Sequence, residues 1–396
     1  MMTKTKSKIK TKMNTKSRFI RHIMMLALCS MMFAGSNAKT IVKAFTVADG
    51  NYKVTAVLGS KKSAGDTWIK AESRRLFFEN IHTPKGKFQT VTFVVNKRSP
   101  YINDKLRIKL KDREKDYANW DSLLTIEFCG SNPQVKDVKI EKADSAITVF
   151  LCGNSTVTDQ EREPWASWGQ MLPRWFDDRV SVANFAESGE RTTSFIASYR
   201  WAAVMQRAKA GDYILIEFGH NDEKDKGAGS GAWYNFSYNL KRMIDEARQK
   251  GCHPVLITPT ARRRFQDGKN VNTHGDYPDA AKAVAAREKV PLIDLTAMST
   301  VLYDTYGEEQ STKFLVHYPA NTFPNQPKPL ADNTHFNTFG AYEVCKCVLQ
   351  GMKDLHLPLV EYLRSDCTDF NPSQPDAWSE WQWPADAAEI VKPDGN

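Results

Sequence analysis

Four short runs constrain this chain more than anything else in it: ITVFLCG (147–153), DYILIEFG (212–219), HPVLITP (253–259) and VPLIDL (290–295) are almost continuously apolar. A strand with one wet face alternates apolar and polar residues, so runs without alternation belong to strands covered on both faces. Between them, PWASWGQMLPRWF (164–176) carries apolar residues at helical spacing, with Pro164 at a helix start and Pro173 expected to bend it; YNLKRMIDEARQKG (238–251) ends on a C-terminal glycine. Strand and helix alternating in this order give an open parallel α/β sheet, which binds ligands at the C-terminal ends of its strands.

The texture before residue 146 is different. NYKVTAVLG (51–59), FQTVTFVVN (88–96), SLLTIEFCG (122–130) and VKDVKIEKA (135–143) alternate and are rich in Val, Thr, Ile and Phe. They read as an all-β sandwich over 39–145, of carbohydrate-binding type at the level of pattern, with a domain boundary near Ile147. The α/β domain is expected over 146–365 and a C-terminal extension over 366–396.

Residues 1–38 carry eight Lys and Arg, then the apolar stretch IMMLALCSMMFA (23–34) and the small-residue end SNA at Ala38. This is the pattern of a cleaved signal peptide, and its apolar part is well short of the roughly 20 residues a membrane anchor needs. The formal charge of +9 falls to about +1 once those eight cations are set aside. The basic excess is therefore a targeting signal, which argues against a nucleic-acid partner and for an exported protein, expected as a monomer without a stable membrane anchor. Of the six later cysteines, Cys129, Cys152 and Cys252 lie in or beside apolar runs and read as buried thiols, while one bridge near the C-terminus stays open.

Several motifs are missing, among them G-x-S-x-G, G-x-x-x-x-G-K-[ST], H-E-x-x-H and a G-x-G-x-x-G after a strand, which disfavours standard α/β-hydrolases, P-loop enzymes, zinc proteases and dinucleotide enzymes. His220, His253, His274 and His317 fall in separate loops without metal-ligand spacing, so no metal or other cofactor is expected. What remains is four blocks at strand ends or before the last helix: GNST with Ser155, NFAESGERTTSF (184–195) with Gly189, GHND (219–222) with Asn221, and DNTHFNTFGA (332–341) with Asp332 and His335. Singly each is an ordinary turn or cap; jointly, in this order, they resemble the Ser, Gly, Asn and His blocks of the SGNH hydrolases, a branch of the GDSL esterases. The resemblance implies a flavodoxin-like three-layer α/β catalytic domain with a parallel sheet.

The chemistry needs such a set. A serine hydroxyl is a weak nucleophile until a base takes its proton, the imidazole needs a carboxylate to fix its tautomer, and the tetrahedral oxyanion needs preorganised donors. The resemblance assigns Ser155 as nucleophile, His335 as base, Asp332 as its orienting acid, and the N–H of Ser155 and Gly189 with the amide of Asn221 as the oxyanion hole. Asn154 replaces the aspartate that the family usually carries before its serine; an amide carbonyl can still accept the backbone hydrogen bonds that hold the loop.

PWASWGQMLP, TPTARRRF (258–265), THGDYPDAA (273–281) and DNTHFNTFGA extend the likeness to the rhamnogalacturonan acetylesterases, which implies an acetylated pectic polysaccharide as substrate. SGERTT departs from the commoner order of that block. Arg262, Arg263 and Arg264 suit galacturonate carboxylates or form a solvated basic patch. Trp233 and Tyr234 stack on sugar or cover core, and Trp165, Trp168 and Trp175 are read as core. Two rivals stand beside the esterase: a lipase or thioesterase on the same scaffold, and a non-catalytic glycan-binding protein.

Overall fold

The computed structural model describes residues 39–384. The expected signal peptide and the last part of the C-terminal extension lie outside the described residues. Sixteen strands are described: β1 Lys39–Thr46, β2 Gly50–Leu58, β3 Gly65–Ala71, β4 Arg75–Thr83, β5 Gln89–Lys97, β6 Leu123–Asn132, β7 Val135–Lys142, β8 Ile147–Cys152, β9 Val180–Asn184, β10 Tyr213–Glu217, β11 His253–Ile257, β12 Phe265–Gln266, β13 Lys269–Asn270, β14 Leu292–Ile293, β15 Leu315–Tyr318 and β16 Leu330–Phe336. The α-helices are α1 Trp168–Met171, α2 Thr192–Ala197, α3 Arg200–Arg207, α4 Ser237–Gln249, α5 Tyr277–Glu288, α6 Leu295–Gln310 and α7 Thr338–Asp354.

The apolar runs pair in parallel in the order β14-β11-β10-β8-β9, the 2-1-3-4-5 order of a flavodoxin-like sheet. Alternate residues point to opposite faces. Val149, Leu151, Leu215, Val255 and Ile257 pack with α1, α6 and α7, whereas Phe150, Cys152, Ile214, Ile216 and Leu256 pack with α3, α4 and α5. Two-sided burial is thus what the unbroken runs encode.

The sandwich is present but shares a sheet. β5, β2 and β7 continue the parallel sheet beyond β9, with β5 parallel to β9 through Val95 and Val182, then turning antiparallel. The second sheet, β1-β6-β3-β4, closes a core of Val54, Ile69, Phe77, Phe93, Ile126 and Phe128 over it. Its opposite face carries Trp68, Leu76 and Cys129 into the cluster built by α1 and α7. The change of texture at Ile147 therefore marks a change from antiparallel to parallel pairing inside one compact unit, and the domain boundary expected there does not divide two bodies.

A second difference concerns 164–176. Only Trp168–Met171 is α-helical, followed by a 3₁₀ turn at Leu172–Trp175. Residues before it run extended because the Ala166 N–H donates to the Phe336 carbonyl at 2.9 Å. Trp165, Trp168 and Trp175 are buried, as their spacing implied. The six described cysteines are free, five of them buried. Near the C-terminus Trp381 and Trp383 stack and meet Trp68 edge-on, with centroids 6.4 and 5.9 Å away, so the described part of the extension is packed onto β3.

The joint between the two halves is charged and buried. Arg74 donates to Glu163 at 3.2 Å, and Arg75 and Arg98 both reach the Asp159 carboxylate at 3.4 Å, with all five side chains nearly or fully buried. Breaking a buried pair from one side costs about 3–5 kcal/mol against a total stability of about 5–15 kcal/mol. A fragment beginning at Ile147 loses all three arginines and bares the edge of β9. It is expected to lose its cooperative melt and its turnover; circular dichroism and size-exclusion chromatography beside the 39–396 chain check this, and a monomeric, active fragment would refute it.

Candidate active site

The nucleophile loop is tight from its first residue. A Cβ at Gly153 would lie 2.6 Å from Val157 Cγ2 and 2.9 Å from the Glu217 carbonyl oxygen, so only glycine fits the turn out of β8. Asn154 is fully buried, and its Oδ1 accepts from the Thr156 N–H at 3.1 Å and the Thr156 hydroxyl at 2.9 Å. The amide carbonyl thus holds the loop without a charge.

Thr156 Oγ1 also lies 2.8 Å from Glu217 Oε1, and Trp168 Nε1 donates to Glu217 Oε2 at 2.5 Å. Burial pushes the Glu217 carboxyl up to about 7, against the hydrogen bonds from Trp168, Thr156 and Thr260. One threonine proton cannot serve both neighbours. A protonated Glu217 donating to Thr156, which then donates to Asn154 Oδ1, gives each oxygen of this relay a proton, while Asn154 Nδ2 is buried without an acceptor among the described residues.

Asp332 and His335 sit on β16 and not in an open loop. Leu315 pairs with Phe336 and His317 with Ala331, so Val316 alone spans what residues 332–335 span on the other strand. The resulting bulge brings to one side two residues that a regular strand would turn to opposite faces. Asp332 Oδ1 fixes it by accepting the N–H of Thr334 at 2.9 Å and of His335 at 3.0 Å. Its Oδ2 lies 2.8 Å from His335 Nδ1, and His335 Nε2 lies 2.8 Å from Ser155 Oγ. Burial alone would raise the Asp332 carboxyl, but the hydrogen bond and charge of His335 and the two backbone donors outweigh it and hold the group well below the usual carboxylate range. The hydroxyl, imidazole and carboxylate are in line, and all three residues are nearly closed to solvent.

Gly189 takes φ +79°, a conformation that favours glycine. Among the described residues neither the Ser155 N–H nor the Gly189 N–H meets an acceptor. Asn221 uses one side-chain N–H on the Glu190 carbonyl at 3.2 Å and accepts from Lys224 Nζ at 3.3 Å, which fixes the amide and leaves its second N–H for a ligand. The next residue joins the two loops: Asp222 accepts from the Thr192 N–H and hydroxyl at 2.8 and 2.7 Å and from the Gly219 N–H at 3.1 Å. Asp222 and Glu217 escaped the sequence reading, although a lone carboxylate inside YILIEF was a signal of buried polar structure.

The arginines are placed otherwise than expected. Arg262 pairs with Glu223 at 2.6 Å and donates to the His220 carbonyl at 2.9 Å, and Arg263 donates to Ser311 Oγ at 3.0 Å and Asn333 Oδ1 at 3.1 Å. Both half-buried guanidinium groups are thus engaged by acceptors in or beside the third and fourth blocks. Arg264 is exposed. His220 Nε2 lies 3.0 Å from Thr260 Oγ1, with its ring against His274, in support of the Asn221 loop. Trp233 is 52% exposed, held by Asp276 at 3.0 Å, and with Tyr234, Glu223, Asp225 and Tyr277 lines an open cavity of about 530 Å³.

The family of GDSL-like lipases and acylhydrolases matches residues 151–341. Rhamnogalacturonan acetylesterase RhgT of Bacillus subtilis is 44% identical over 222 residues, 55% of this chain and 95% of that protein. The probable rhamnogalacturonan acetylesterase YesY of the same organism is 36% identical over 217 residues, 54% and 95% of the two chains. The uncharacterized esterase YxiM, also from Bacillus subtilis, is 26% identical over 315 residues, 77% of this chain and 72% of that one.

Two outcomes follow from the geometry. Asn221→Ala removes a donor aimed at developing charge, so kcat is expected to fall by roughly 10²–10³ with little change in KM, read from steady-state kinetics on a small acetyl ester. Glu217 holds its proton in the folded chain to about 7, above the ordinary 4.5, so its stabilising part is full below the ordinary value and is lost as pH rises through 7. Glu217→Gln mimics the protonated form and should gain in melting temperature relative to the parent between pH 5 and pH 8; an identical difference at both pH values contradicts the assignment.

Proposed function

Because this chain belongs to the GDSL-like lipase and acylhydrolase family, we propose that it is a serine carbohydrate esterase that releases acetate from acetylated rhamnogalacturonan. The observation that carries the reading is the unbroken line Asp332, His335, Ser155, with the backbone N–H groups of Ser155 and Gly189 left without an acceptor among the described residues. His335 Nε2 takes the Ser155 proton as Oγ attacks the acetyl carbon, and Asp332 steadies the imidazolium that forms. The oxyanion is held by the N–H groups of Ser155 and Gly189 and by Asn221. Collapse expels the sugar hydroxyl, which takes its proton from His335. Water, activated by the same imidazole, then frees acetate and restores Ser155.

The substrate class rests on the likeness to RhgT and YesY, and the exposed Trp233 and Tyr234 supply apolar faces on which a sugar ring can lie. Export by a cleaved leader belongs to the same proposal, supported by the basic and apolar pattern of 1–38, and N-terminal sequencing tests it; action as a monomer is proposed with it and is tested by light scattering.

Acetate release from acetylated rhamnogalacturonan, compared with hydrolysis of long-chain p-nitrophenyl esters, separates this reading from a lipase. Ser155→Ala is expected to lower turnover by at least about 10³-fold while keeping the melt, since removing one triad member leaves only the binding and oxyanion contributions. Acetate release within tenfold of the parent would remove Ser155 as the nucleophile.

A further inference from the structure

The connection from β5 to β6 lies outside the matched family region, yet it reaches the block that carries Gly189. Its two 3₁₀ turns, Asp112–Asp116 and Ala118–Trp120, are anchored by Glu114, which is fully buried. Both oxygens of the Glu114 carboxylate accept from Arg200 at 2.6 Å, and the group also accepts from Trp120 Nε1 at 3.2 Å and the Lys111 N–H at 2.9 Å. That anchor fixes the backbone on either side of Lys111 and Arg113. The Lys111 ammonium donates to the Ser188 carbonyl oxygen and lies 3.6 Å from Glu190 Oε1. Arg113 donates to the same carbonyl at 3.3 Å and pairs with Glu187 Oε1. Two cations thus converge on one peptide oxygen.

The Ser188 carbonyl and the Gly189 N–H are the two ends of a single peptide group. The carbonyl end is charge-bonded, while the N–H end has no acceptor among the described residues. A flipped peptide would turn its oxygen toward the site and cancel an oxyanion donor; with φ +79° at Gly189, sterics alone are a weak guard against it. Cations on the oxygen oppose the flip, and they draw electron density through the amide so that its N–H becomes the stronger donor.

We infer that Lys111 and Arg113 are positioning residues of the oxyanion hole, which hold and polarise the Ser188–Gly189 peptide from the N-terminal half of the chain. The inference rests on the esterase reading and sharpens it. The β-rich half then has a part in the chemical step itself, independent of any polysaccharide it binds.

The test uses the full chain and p-nitrophenyl acetate, a substrate too small to need a polymer site. Lys111→Met is expected to lower kcat about tenfold with KM within twofold, Lys111→Met with Arg113→Met about 10²-fold, and Lys111→Arg to stay within threefold of the parent, as fractions of the 10²–10³ that loss of a whole donor costs. Affinity for a small boronic acid, which mimics the tetrahedral intermediate, should fall by the same factor as kcat/KM, a proportionality that general loosening would not give. Lys111→Met alone, on a partly exposed side chain, keeps the test valid if the double variant melts early. Ser155→Ala separates the two claims: turnover by that variant defeats the esterase reading and this inference with it. If Ser155→Ala is inactive while both Met variants keep kcat and boronate affinity within twofold of the parent, the inference alone is overturned.

Discussion

The Asp159 carboxylate is the tie on which the arrangement depends. It lies four residues after Ser155, wholly buried, and receives Arg75 from the start of β4 and Arg98 from beyond β5. Asn119 donates to it at 3.1 Å from the β5–β6 connection, and Asn184 at 2.8 Å from the end of β9. Four segments distant in sequence therefore close on one side chain. A buried carboxylate is costly unless paired and hydrogen-bonded, so the segments are bound to one another as strictly as to the acid. Arg75 extends the tie: it donates to the carbonyls of Val182 at 3.2 Å and Asn96 at 3.0 Å, bridging the seam where β5 meets β9. The nucleophile loop is thereby referenced to the N-terminal half before any substrate arrives.

That dependence explains what the sequence disclosed and what it did not. Parallel strands announce themselves because two-sided burial leaves only apolar residues, and the four blocks announce themselves because a serine, a glycine, an asparagine and a histidine at strand ends have few other uses in common. The seam was harder. β5 begins by alternating but ends in Phe93, Val94 and Val95, all buried, a short doubly covered run like those of the α/β half. It was the one local sign that the sandwich had no free edge there. Arg74, Arg75, Arg98 and Arg200 were invisible as structural residues, since a buried arginine and a surface arginine are the same letter until its carboxylate is located in space.

The same ambiguity surrounds Arg262 and Arg263. Guanidinium forks after a strand end fit sugar acids as well as they fit the protein's own acceptors, and only the positions of Glu223, His220, Ser311 and Asn333 reveal the second set of partners. The bulge that aligns Asp332 with His335 was likewise out of reach, because it depends on pairing with β15, a partner that DNTHF does not name.

Acid groups around the site divide by environment. Asp332, supplied with His335 and two backbone donors, is held ionised far into acid. Glu217, Glu161 and Glu72 are each pushed up to about 7, burial being the largest cause for all three, although Arg75 and Lys97 act against it at Glu72 and Arg74 at Glu161. A carboxyl whose folded value is raised binds its proton more tightly folded than unfolded, so its share of stability is complete below the ordinary value of 4.5 and is lost as pH climbs through 7. Asp332 runs the other way: its folded value is lowered, so its share of stability is complete above the ordinary carboxylate range and is lost only as pH falls through and below that range. The acid of the triad and the buried glutamates therefore pull stability in opposite directions with pH, and the fold is best supported in the weakly acid interval between them.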